Sequence, residues 1–365
     1  MTLEQIDKNF KLSAVTEKDV VWHDVREVPF RIYGVYYEES EGRFRRLPAA
    51  VAEATSAGVA TLATHTSGGR VRFVTDSPYI AIRAVSSAGT RFSHMPLSGV
   101  HGFALTEDRF HFVHAFMPEF TAVTDAPFAF ESITYPWHKS FHTEGKHLYS
   151  ISFPLYGRTD ALFIGLKEGC LLEAAPDYTY EEKPVLFYGS SITQGGCASR
   201  SDTDYVSRLS RMLDTDILNL GFSGSARAED AMIAYLASLD PSVFVLDYDH
   251  NTPSLEHLEA THEKLFLAFR AAHPDTPVIM MSRPDFHNGL LNVERRAIIK
   301  KTYDNAKARG DGRVWFIDGE TLFAGEDRES CTVEDCHPTD LGFFRMAKTV
   351  EPLLREALAI AYGEK

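Results

Sequence analysis

The sequence predicts an α/β protein in which a parallel sheet, covered by helices on both faces, follows an all-β sandwich. Short runs of alternating polar and apolar residues fill the first half of the chain, as is typical of strands with one buried face. Continuously apolar runs separated by helical stretches fill the second half, as is typical of βαβ units. The chain has 365 residues, which is enough for about two domains.

In the first half, Gly and Pro recur between four runs with a period of two residues. Several short strands at this spacing predict an antiparallel sandwich. The four runs are Arg70–Asp76, Tyr79–Val85, His147–Leu155 and Ala161–Lys167.

The polar tract Ala175–Lys183 separates the two halves. We place the domain boundary in it, which gives a sandwich over residues 1–182 and an α/β domain over residues 183–365. The candidate strands of the second half are Pro184–Gly189, Asp216–Phe222, Ser242–Tyr248, Pro277–Arg283 and Arg313–Gly319. Between the third and fourth of them, four residues share one face of a predicted helix, with the histidine interpreted as a core residue: Leu258, His262, Leu265 and Phe269.

Composition excludes several classes of function. Lysine and arginine total 37 against 51 aspartate and glutamate residues, a net charge of −14, whereas a nucleic-acid binder needs clustered cations. No run approaches the ~20 apolar residues of a membrane span, and the N-terminus lacks an apolar run of signal-peptide length. The four cysteines are too few for a disulfide scaffold. We therefore expect a cytoplasmic protein with free thiols and with neither a nucleic-acid nor a membrane partner.

The segments that follow the strands are the candidate site, because doubly wound sheets bind ligands at the carboxyl ends of their strands. Gly189–Gly196 follows the first strand, Gly221–Gly224 the second and Asp249–Thr252 the third. Glu334–Pro338 stands just before a candidate helix that starts around Thr339. We expect all four segments to meet at one edge of the sheet.

In this order the four segments resemble the SGNH (GDSL-type) hydrolase family, most specifically through G-S-S-I-T-Q-G and the His-Pro after an acidic pair. The first half resembles the β-sandwich fused ahead of some bacterial members, through Phe44–Pro48 and Gly68–Phe73. Gly102–Thr106 stands where those members have a segment like Gly-Phe-Asp-Leu-Tyr. The resemblance implies a three-layer αβα, flavodoxin-like hydrolase domain after a jelly-roll-like sandwich.

The resemblance also implies a serine–histidine–acid site. Ser191 would be the nucleophile, since a hydroxyl becomes reactive when an adjacent base accepts its proton. His337 would be that base and then the acid that protonates the leaving alkoxide. Glu334, at a position where the family usually has Asp, would hold the other ring nitrogen, and Asp335 or a backbone carbonyl could do so instead.

An oxyanion hole would combine the backbone N–H groups of Ser191 and Gly224 with the side-chain amide of Asn251. Each such donor is commonly worth about 3–4 kcal/mol in the transition state. A glycine at 224 would let the backbone approach closely. The alternatives are that Gly224 is an ordinary turn residue and that Asn251 is a helix-cap or turn residue before Pro253.

Other chemistries lack a recognisable signal, and we expect no cofactor and no metal. Asp247 and Asp249 do not have the spacing of metal ligands. Gly189–Gly196 lacks the lysine of a phosphate-binding loop and does not match G-x-G-x-x-G. We expect His250 to be structural, and Cys336 and His337 not to pair, because sequence neighbours rarely align that way.

A sandwich ahead of the hydrolase domain resembles the arrangement of carbohydrate esterases. We therefore expect a small-molecule or oligosaccharide ester as substrate, with O-acetyl groups on a sugar foremost. An acyl-CoA thioesterase or general arylesterase is the alternative enzyme, a non-catalytic glycan-binding protein is the alternative from another class, and a homo-oligomer is compatible with the chain. Aromatic residues that could form a sugar platform are Trp22, Tyr36, Tyr37, Tyr135 and Trp137.

Overall fold

The computed structural model describes residues 14–134, 145–284 and 291–363, together with the single residues 6 and 289. The strands are β1 (Val20–Asp24), β2 (Arg31–Tyr33), β3 (Tyr36–Glu38), β4 (Arg43–Arg45), β5 (Arg70–Thr75), β6 (Ala81–Ser86), β7 (Phe103–Glu107), β8 (His111–Phe116), β9 (Phe128–Ile133), β10 (His147–Ser152), β11 (Ala161–Lys167), β12 (Leu172–Ala174), β13 (Tyr180–Gly189), β14 (Thr215–Gly221), β15 (Val243–Asp247), β16 (Val278–Met281) and β17 (Val314–Ile317).

The helices are α1 (Ala49–Thr55), α2 (Ala57–Leu62), α3 (Leu97–Val100), α4 (Ser191–Gln194), α5 (Tyr205–Leu213), α6 (Asp230–Ser238), α7 (Leu255–Ala272), α8 (Asn292–Ala308) and α9 (Asp340–Tyr362). In the described part of the chain, none of these helices has the length and apolar character needed to cross a bilayer.

The first half is an antiparallel sandwich, as the sequence predicts. One sheet has the strand order β1-β11-β6-β9, and the other has the order β12-β5-β10-β7-β8 with β2 added beside β5. Side chains from both sheets form the core between them, among them Val71, Phe73, Ile82, Ile151 and Ile164. The four runs with a period of two residues all contain strands, and Ala161–Lys167 matches its strand at both ends.

Strand β5 differs from the prediction in its burial. Its alternation of polar and apolar residues predicts one face in water, but all six residues are buried. Arg70 donates a hydrogen bond of 2.7 Å to the Tyr178 hydroxyl and forms an ion pair with Asp216. The Arg72 guanidinium lies 3.8 Å from the centre of the Tyr178 ring. The polar face of this strand therefore packs against other parts of the protein instead of facing solvent.

The second half is built on a parallel sheet with the strand order β14-β13-β15-β16-β17. Numbered within this half, the order is 2-1-3-4-5, which is the flavodoxin-like arrangement. All five apolar runs overlap strands, as predicted, although β13 and β14 begin before the predicted runs. At the carboxyl end of β13, Gly189 lies between Gly221 of β14 and Asp247 of β15.

Helices cover both faces of this sheet and give it three layers. In β13, Val185 and Phe187 face a core shared with α5 and α9, whereas Leu186 and Tyr188 face a core shared with α6, α7 and α8. The helix predicted around Leu255–Phe269 is α7, and its four predicted core residues are buried. Among them His262 is a core histidine, with Nδ1 2.9 Å from the Thr302 hydroxyl.

A short connection, residues 175–179, joins the two halves. Strand β13 already begins at Tyr180, so the predicted boundary between residues 182 and 183 falls inside a strand. Both cores of the second half also contain side chains from the first half. Leu47 and Val59 complete the core on the α6 side, and Leu155 and Tyr156 complete the core on the α9 side.

One buried arginine holds the two halves together. The Arg46 side chain is only 2% exposed, and it donates to carbonyl oxygens in both halves, at 2.7 and 2.8 Å to His65 and Leu62 and at 2.9 and 2.8 Å to Asn219 and Gly221. Burial lowers the pKa of Arg46 to about 9, so the guanidinium is charged at neutral pH. A buried cation is tolerated when its donors are satisfied in this way.

We expect Arg46→Met to lower the free energy of unfolding by about 3 kcal/mol or more, because four carbonyl groups, those of Asn219 and Gly221 buried, lose a charged donor. Arg83→Met is the matched control, since the Arg83–Glu131 ion pair is two-fifths exposed and such pairs are worth less than ~1 kcal/mol. Denaturant unfolding followed by fluorescence and circular dichroism measures both changes. Equal losses in the two variants would contradict this role of Arg46.

Candidate active site

Three turns meet at the carboxyl edge of the parallel sheet. They follow β13, β14 and β15, which are adjacent strands that end in register at Gly189, Gly221 and Asp247. The first turn carries Ser191, the second carries Gly224 and the third carries Asn251. The site is therefore assembled at the place where such sheets bind ligands.

The turn after β13 places Ser191 at the first position of α4. The Ser190 hydroxyl accepts the backbone N–H of Ile192 at 3.1 Å and caps the helix, while Gly195 ends it in the left-handed region at a φ of 101°. Gly189 cannot be replaced without movement, because a Cβ atom there would overlap the Thr193 hydroxyl. These constraints hold the turn in one conformation.

His337 lies between Ser191 and Glu334. The distance from His337 Nε2 to Ser191 Oγ is 2.8 Å, and the distance from Nδ1 to Glu334 Oε1 is 2.5 Å. A carboxylate can only accept a hydrogen bond, so Nδ1 carries the proton and Nε2 offers its lone pair to the serine hydroxyl. The arrangement matches that of a serine nucleophile, its base and the acid that orients the base.

A tight turn ahead of α9 brings Glu334 to the imidazole. Asp335 has a φ of 62° in the left-handed region, and the Val333 N–H donates to the His337 carbonyl at 2.9 Å. As a result the Glu334 carboxylate also accepts the backbone N–H of His337 at 2.8 Å. Of the two acidic residues left open by the sequence, Glu334 is the one in contact with the ring.

The two backbone N–H groups predicted for the oxyanion hole are free to donate hydrogen bonds to a ligand. Neither the Ser191 N–H nor the Gly224 N–H has an acceptor among the described residues. Gly224 has a φ of 66°, and a Cβ atom there would meet no other atom within 4 Å. The left-handed conformation favours glycine at this position, and the predicted close approach of the backbone to a bound oxyanion stays a prediction.

Side chains hold the loop that carries Gly224. Asn251, in a single 3₁₀ turn after β15, donates through Nδ2 to the Phe222 carbonyl at 2.9 Å. That bond uses one of the two amide hydrogens and leaves the second for a ligand. From the opposite side, Gln194 Oε1 accepts the Ser223 N–H at 3.0 Å.

The first half of the chain reaches the nucleophile turn, which the sequence analysis missed. The Tyr156 hydroxyl donates to the Ser191 carbonyl at 3.3 Å, and the Ser67 hydroxyl donates to the Gln194 carbonyl at 2.6 Å. Gln194 Nε2 in turn donates to the Leu155 carbonyl at 3.1 Å. Gln194 stands in the G-S-S-I-T-Q-G segment and could have been singled out, whereas Ser67 and Tyr156 lie in loops without a recognisable pattern.

A buried carboxyl group supports the turn from below. Asp247 Oδ2 accepts hydrogen bonds from the Thr193 hydroxyl at 3.0 Å and from the Tyr205 hydroxyl at 3.1 Å. Burial, together with the neighbouring charge of Asp249, raises the pKa of Asp247 to about 8. Asp249 is buried as well, and burial raises its pKa to about 6.

His250 and Cys336 pair with each other behind the site. Cys336 Sγ lies 3.2 Å from His250 Nε2, so the thiol next to His337 in sequence contacts a different imidazole. Burial lowers the pKa of His250 to about 3 and raises the pKa of the Cys336 thiol. The pair is therefore neutral at pH 7, which supports the structural role expected for His250.

Some groups of side chains could hold a metal ion, although the sequence predicts none. The potential ligand atoms within each group lie no more than 4.8 Å apart, and the groups found among the described residues are His94–Cys197–His337, Glu334–Cys336–His337 and Glu107–Asp108–His147. Neither Asp247 nor Asp249 belongs to one of them.

The predicted aromatic platforms have different environments. The Arg83 guanidinium lies over the Trp22 ring, 4.5 Å from the ring centre. Tyr37 packs edge-on against Phe44. Tyr36 lines a cavity of about 250 Å³ between the two halves. Tyr135 and Trp137 lie outside the described residues.

Two protein-family models match the sequence, one over each half of the chain. The model of the GDSL-like Lipase/Acylhydrolase family matches residues 182–355, and the model of the N-terminus of Esterase_SGNH_hydro-type proteins matches residues 20–172. Together they cover most of the chain. No curated protein matches it.

Solved structures share both halves of the chain. A Bacteroides ovatus protein described as a GDSL-like lipase has 23% identity and a TM-score of 0.79, over 93% of this chain and 98% of its own. A family two carbohydrate esterase from Clostridium thermocellum, in complex with cellohexaose, has 15% identity and a TM-score of 0.62, over 91% and 99%. An acetyl xylan esterase from Butyrivibrio proteoclasticus has 14% identity and a TM-score of 0.57, over 93% and 99%. The TM-scores and the coverage of both chains establish a common two-part fold.

We expect Glu334→Gln to slow the reaction of Ser191 with a fluorophosphonate by about tenfold or more, because an amide orients and stabilises the imidazolium less well. Asp335→Asn is the matched control and should react like the wild type, since the Asp335 side chain does not contact the ring. Labelling rates followed by intact-protein mass spectrometry measure both, with Ser191→Ala as the blank. The reverse order of rates would assign the orienting role to Asp335.

The buried Asp247 predicts a dependence of stability on pH. Its folded pKa of about 8 lies above the unfolded value of about 3.9, so the folded state retains a proton that the unfolded chain releases. This group therefore lowers the free energy of unfolding as the pH rises from about 4 to about 8.

Asp247→Asn should remove this contribution. The free energy of unfolding of the variant minus that of the wild type should increase between pH 4 and pH 8, by on the order of a few kcal/mol. Denaturant unfolding at several pH values measures the difference. A difference that does not change with pH would show that the carboxyl group titrates normally.

Proposed function

Because the chain belongs to the GDSL-like lipase/acylhydrolase (SGNH hydrolase) family of ester hydrolases, we propose that it removes short acyl groups, foremost O-acetyl groups, from sugars or oligosaccharides. The observation that carries the proposal is the contact of His337 Nε2 with Ser191 Oγ at 2.8 Å, with Glu334 on the opposite ring nitrogen. This geometry supports acyl transfer through a serine ester.

In the proposed acylation step, Ser191 Oγ attacks the ester carbonyl while His337 Nε2 accepts the hydroxyl proton. Negative charge develops on the carbonyl oxygen, where the N–H groups of Ser191 and Gly224 and the free amide hydrogen of Asn251 can stabilise it. Collapse of the intermediate breaks the ester bond. His337 gives its proton to the departing sugar alkoxide, and an acetyl group remains on Ser191.

The deacylation step reverses these roles with water as the nucleophile. His337 takes a proton from the water molecule, the hydroxide attacks the acetyl carbonyl, and the same donors stabilise the second intermediate. When the intermediate collapses, His337 returns the proton to Ser191 Oγ and acetate leaves. Throughout, Glu334 stabilises the transient imidazolium by its charge and by its bond to Nδ1.

The choice of substrate rests on two considerations. Solved proteins with this two-part fold include a family two carbohydrate esterase in complex with cellohexaose and an acetyl xylan esterase. In addition, the net charge of −14 disfavours the anionic phosphates of an acyl-CoA, because like charges repel. Both considerations favour a neutral sugar ester.

We expect the wild type to release acetate from a mixture of acetylated manno- and xylo-oligosaccharides, and Ser191→Ala to be slower by about 10⁴-fold or more. An enzyme-coupled acetate assay, with the two proteins side by side, measures this. Thermal unfolding of Ser191→Ala provides the control for its fold.

The other outcomes separate the alternatives. Hydrolysis of p-nitrophenyl acetate without release from the oligosaccharides would retain the serine site and reject the sugar as substrate. Preference for acetyl-CoA would indicate a thioesterase. Inactivity on all three esters, combined with binding of the oligosaccharides, would favour a glycan-binding protein.

A further inference from the structure

A histidine and a cysteine outside the proposed catalytic set lie beside His337. His94 comes from the first half of the chain, on the exposed segment between β6 and α3, and its ring centre is 5.8 Å from that of His337. Cys197 follows the nucleophile turn and is 6% exposed. The potential ligand atoms of these three residues all lie within 4.8 Å of one another.

The Cys197 thiol is held in this position by its surroundings. It donates a hydrogen bond of 3.4 Å to the His94 carbonyl, and its backbone has a φ of 73°, in the left-handed region. The preceding Gly196 lies directly against the imidazole, since a Cβ atom there would be 2.9 Å from His337 Cδ2. Because Cδ2 is bonded to Nε2, this segment runs along the ring edge that faces Ser191.

We propose that His94, Cys197 and His337 bind a soft divalent cation, Zn²⁺ foremost, and that the bound ion reversibly blocks the esterase. When the ion binds, Cys197 releases its thiol proton to solvent and gives up its hydrogen bond to the His94 carbonyl. Two imidazoles and one thiolate are a donor set that zinc prefers, and three protein ligands leave a fourth position for water. Hard cations such as Mg²⁺ prefer oxygen ligands and do not suit this site.

The geometry requires a small adjustment. Ligand atoms about 2.0–2.3 Å from a tetrahedral zinc ion lie roughly 3.3–3.8 Å from one another. Because the three atoms already lie within 4.8 Å of one another, no pair must approach by more than about 1.5 Å. His94 is exposed and can supply this movement by rotating its side chain. Cys197 and His337 can remain nearly where they are.

The inhibition rests on the proposed function of His337. A metal ion at Nε2 occupies the lone pair that otherwise accepts the proton of Ser191, so the serine loses its base. Glu334 on the opposite nitrogen strengthens the bond, because a carboxylate that accepts Nδ1–H raises the basicity of a ligating imidazole.

The test combines zinc binding with activity. Competition with a chromophoric zinc chelator measures the affinity, and hydrolysis of p-nitrophenyl acetate over a series of ZnCl₂ concentrations, followed by EDTA, measures inhibition and its reversal. The variants are Cys197→Ser and His94→Asn, with Cys170→Ser and His23→Asn as matched controls distant in sequence. MgCl₂ serves as the hard-cation control.

We expect zinc to inhibit the wild type and both control variants, and EDTA to restore their activity. Cys197→Ser and His94→Asn should retain the basal rate, and each should weaken both zinc binding and inhibition by at least about tenfold. His94 is exposed, so His94→Asn remains informative if Cys197→Ser does not fold. MgCl₂ at the same concentrations should not inhibit.

Several outcomes would overturn the proposal or separate it from the proposed function. Equal zinc affinity in the wild type and both variants would reject the site. Loss of zinc binding in Cys336→Ser, but in neither Cys197→Ser nor His94→Asn, would move the ion to Glu334 and Cys336. Zinc binding that depends on Cys197 and His94 without any effect on hydrolysis would overturn the proposed block of His337, and the hydrolysis itself would leave the proposed function standing.

Discussion

The structure depends first on the burial of one cation, the Arg46 guanidinium. Its donors point to carbonyl oxygens of Leu62 and His65 on one side and of Asn219 and Gly221 on the other. Because a buried charge is costly when it is not fully hydrogen-bonded, an arrangement of these segments that left its donors without acceptors would be strongly disfavoured. Gly221 ends β14 and leads directly into the loop of Gly224, so an arginine of the sandwich half determines where a proposed oxyanion donor stands.

The same principle applies throughout the site, where polar groups are fixed before any substrate arrives. Asp247 holds Thr193 from below, and Gln194 links the nucleophile turn to the oxyanion loop. Tyr156 contacts the Ser191 carbonyl from the sandwich half. Donors held in place in this way need little reorganisation when charge develops in the transition state, which is the basis of electrostatic catalysis. The rigidity of the site therefore comes from both halves of the chain.

The sequence predicts four strands of the first half, the five strands of the parallel sheet and the four segments at its edge, because hydrophobic periodicity and turn residues report local structure directly. It misses the other strands of the first half, among them β1, β7 and β8. It does not predict which surface covers a strand. The alternation in β5 indicates a polar face, but only the folded chain shows that Tyr178 and Asp216 cover it. For the same reason the segment Phe44–Pro48 resembles the family, but the sequence does not show which carbonyl groups bind Arg46. Likewise, only the turn at Asp335 shows that Glu334, and not Asp335, contacts His337.

The two cores that contain side chains from both halves limit how this architecture can change over evolutionary time. A recombination event that replaced the sandwich would remove Leu47 and Val59 from one core and Leu155 and Tyr156 from the other. It would leave apolar surface open to water on both sides of the sheet, and such patches promote aggregation. Unlike a module on a flexible tether, the sandwich is therefore expected to be inherited together with the sheet, and substitution in the loops at the sheet edge changes specificity without disturbing the shared cores.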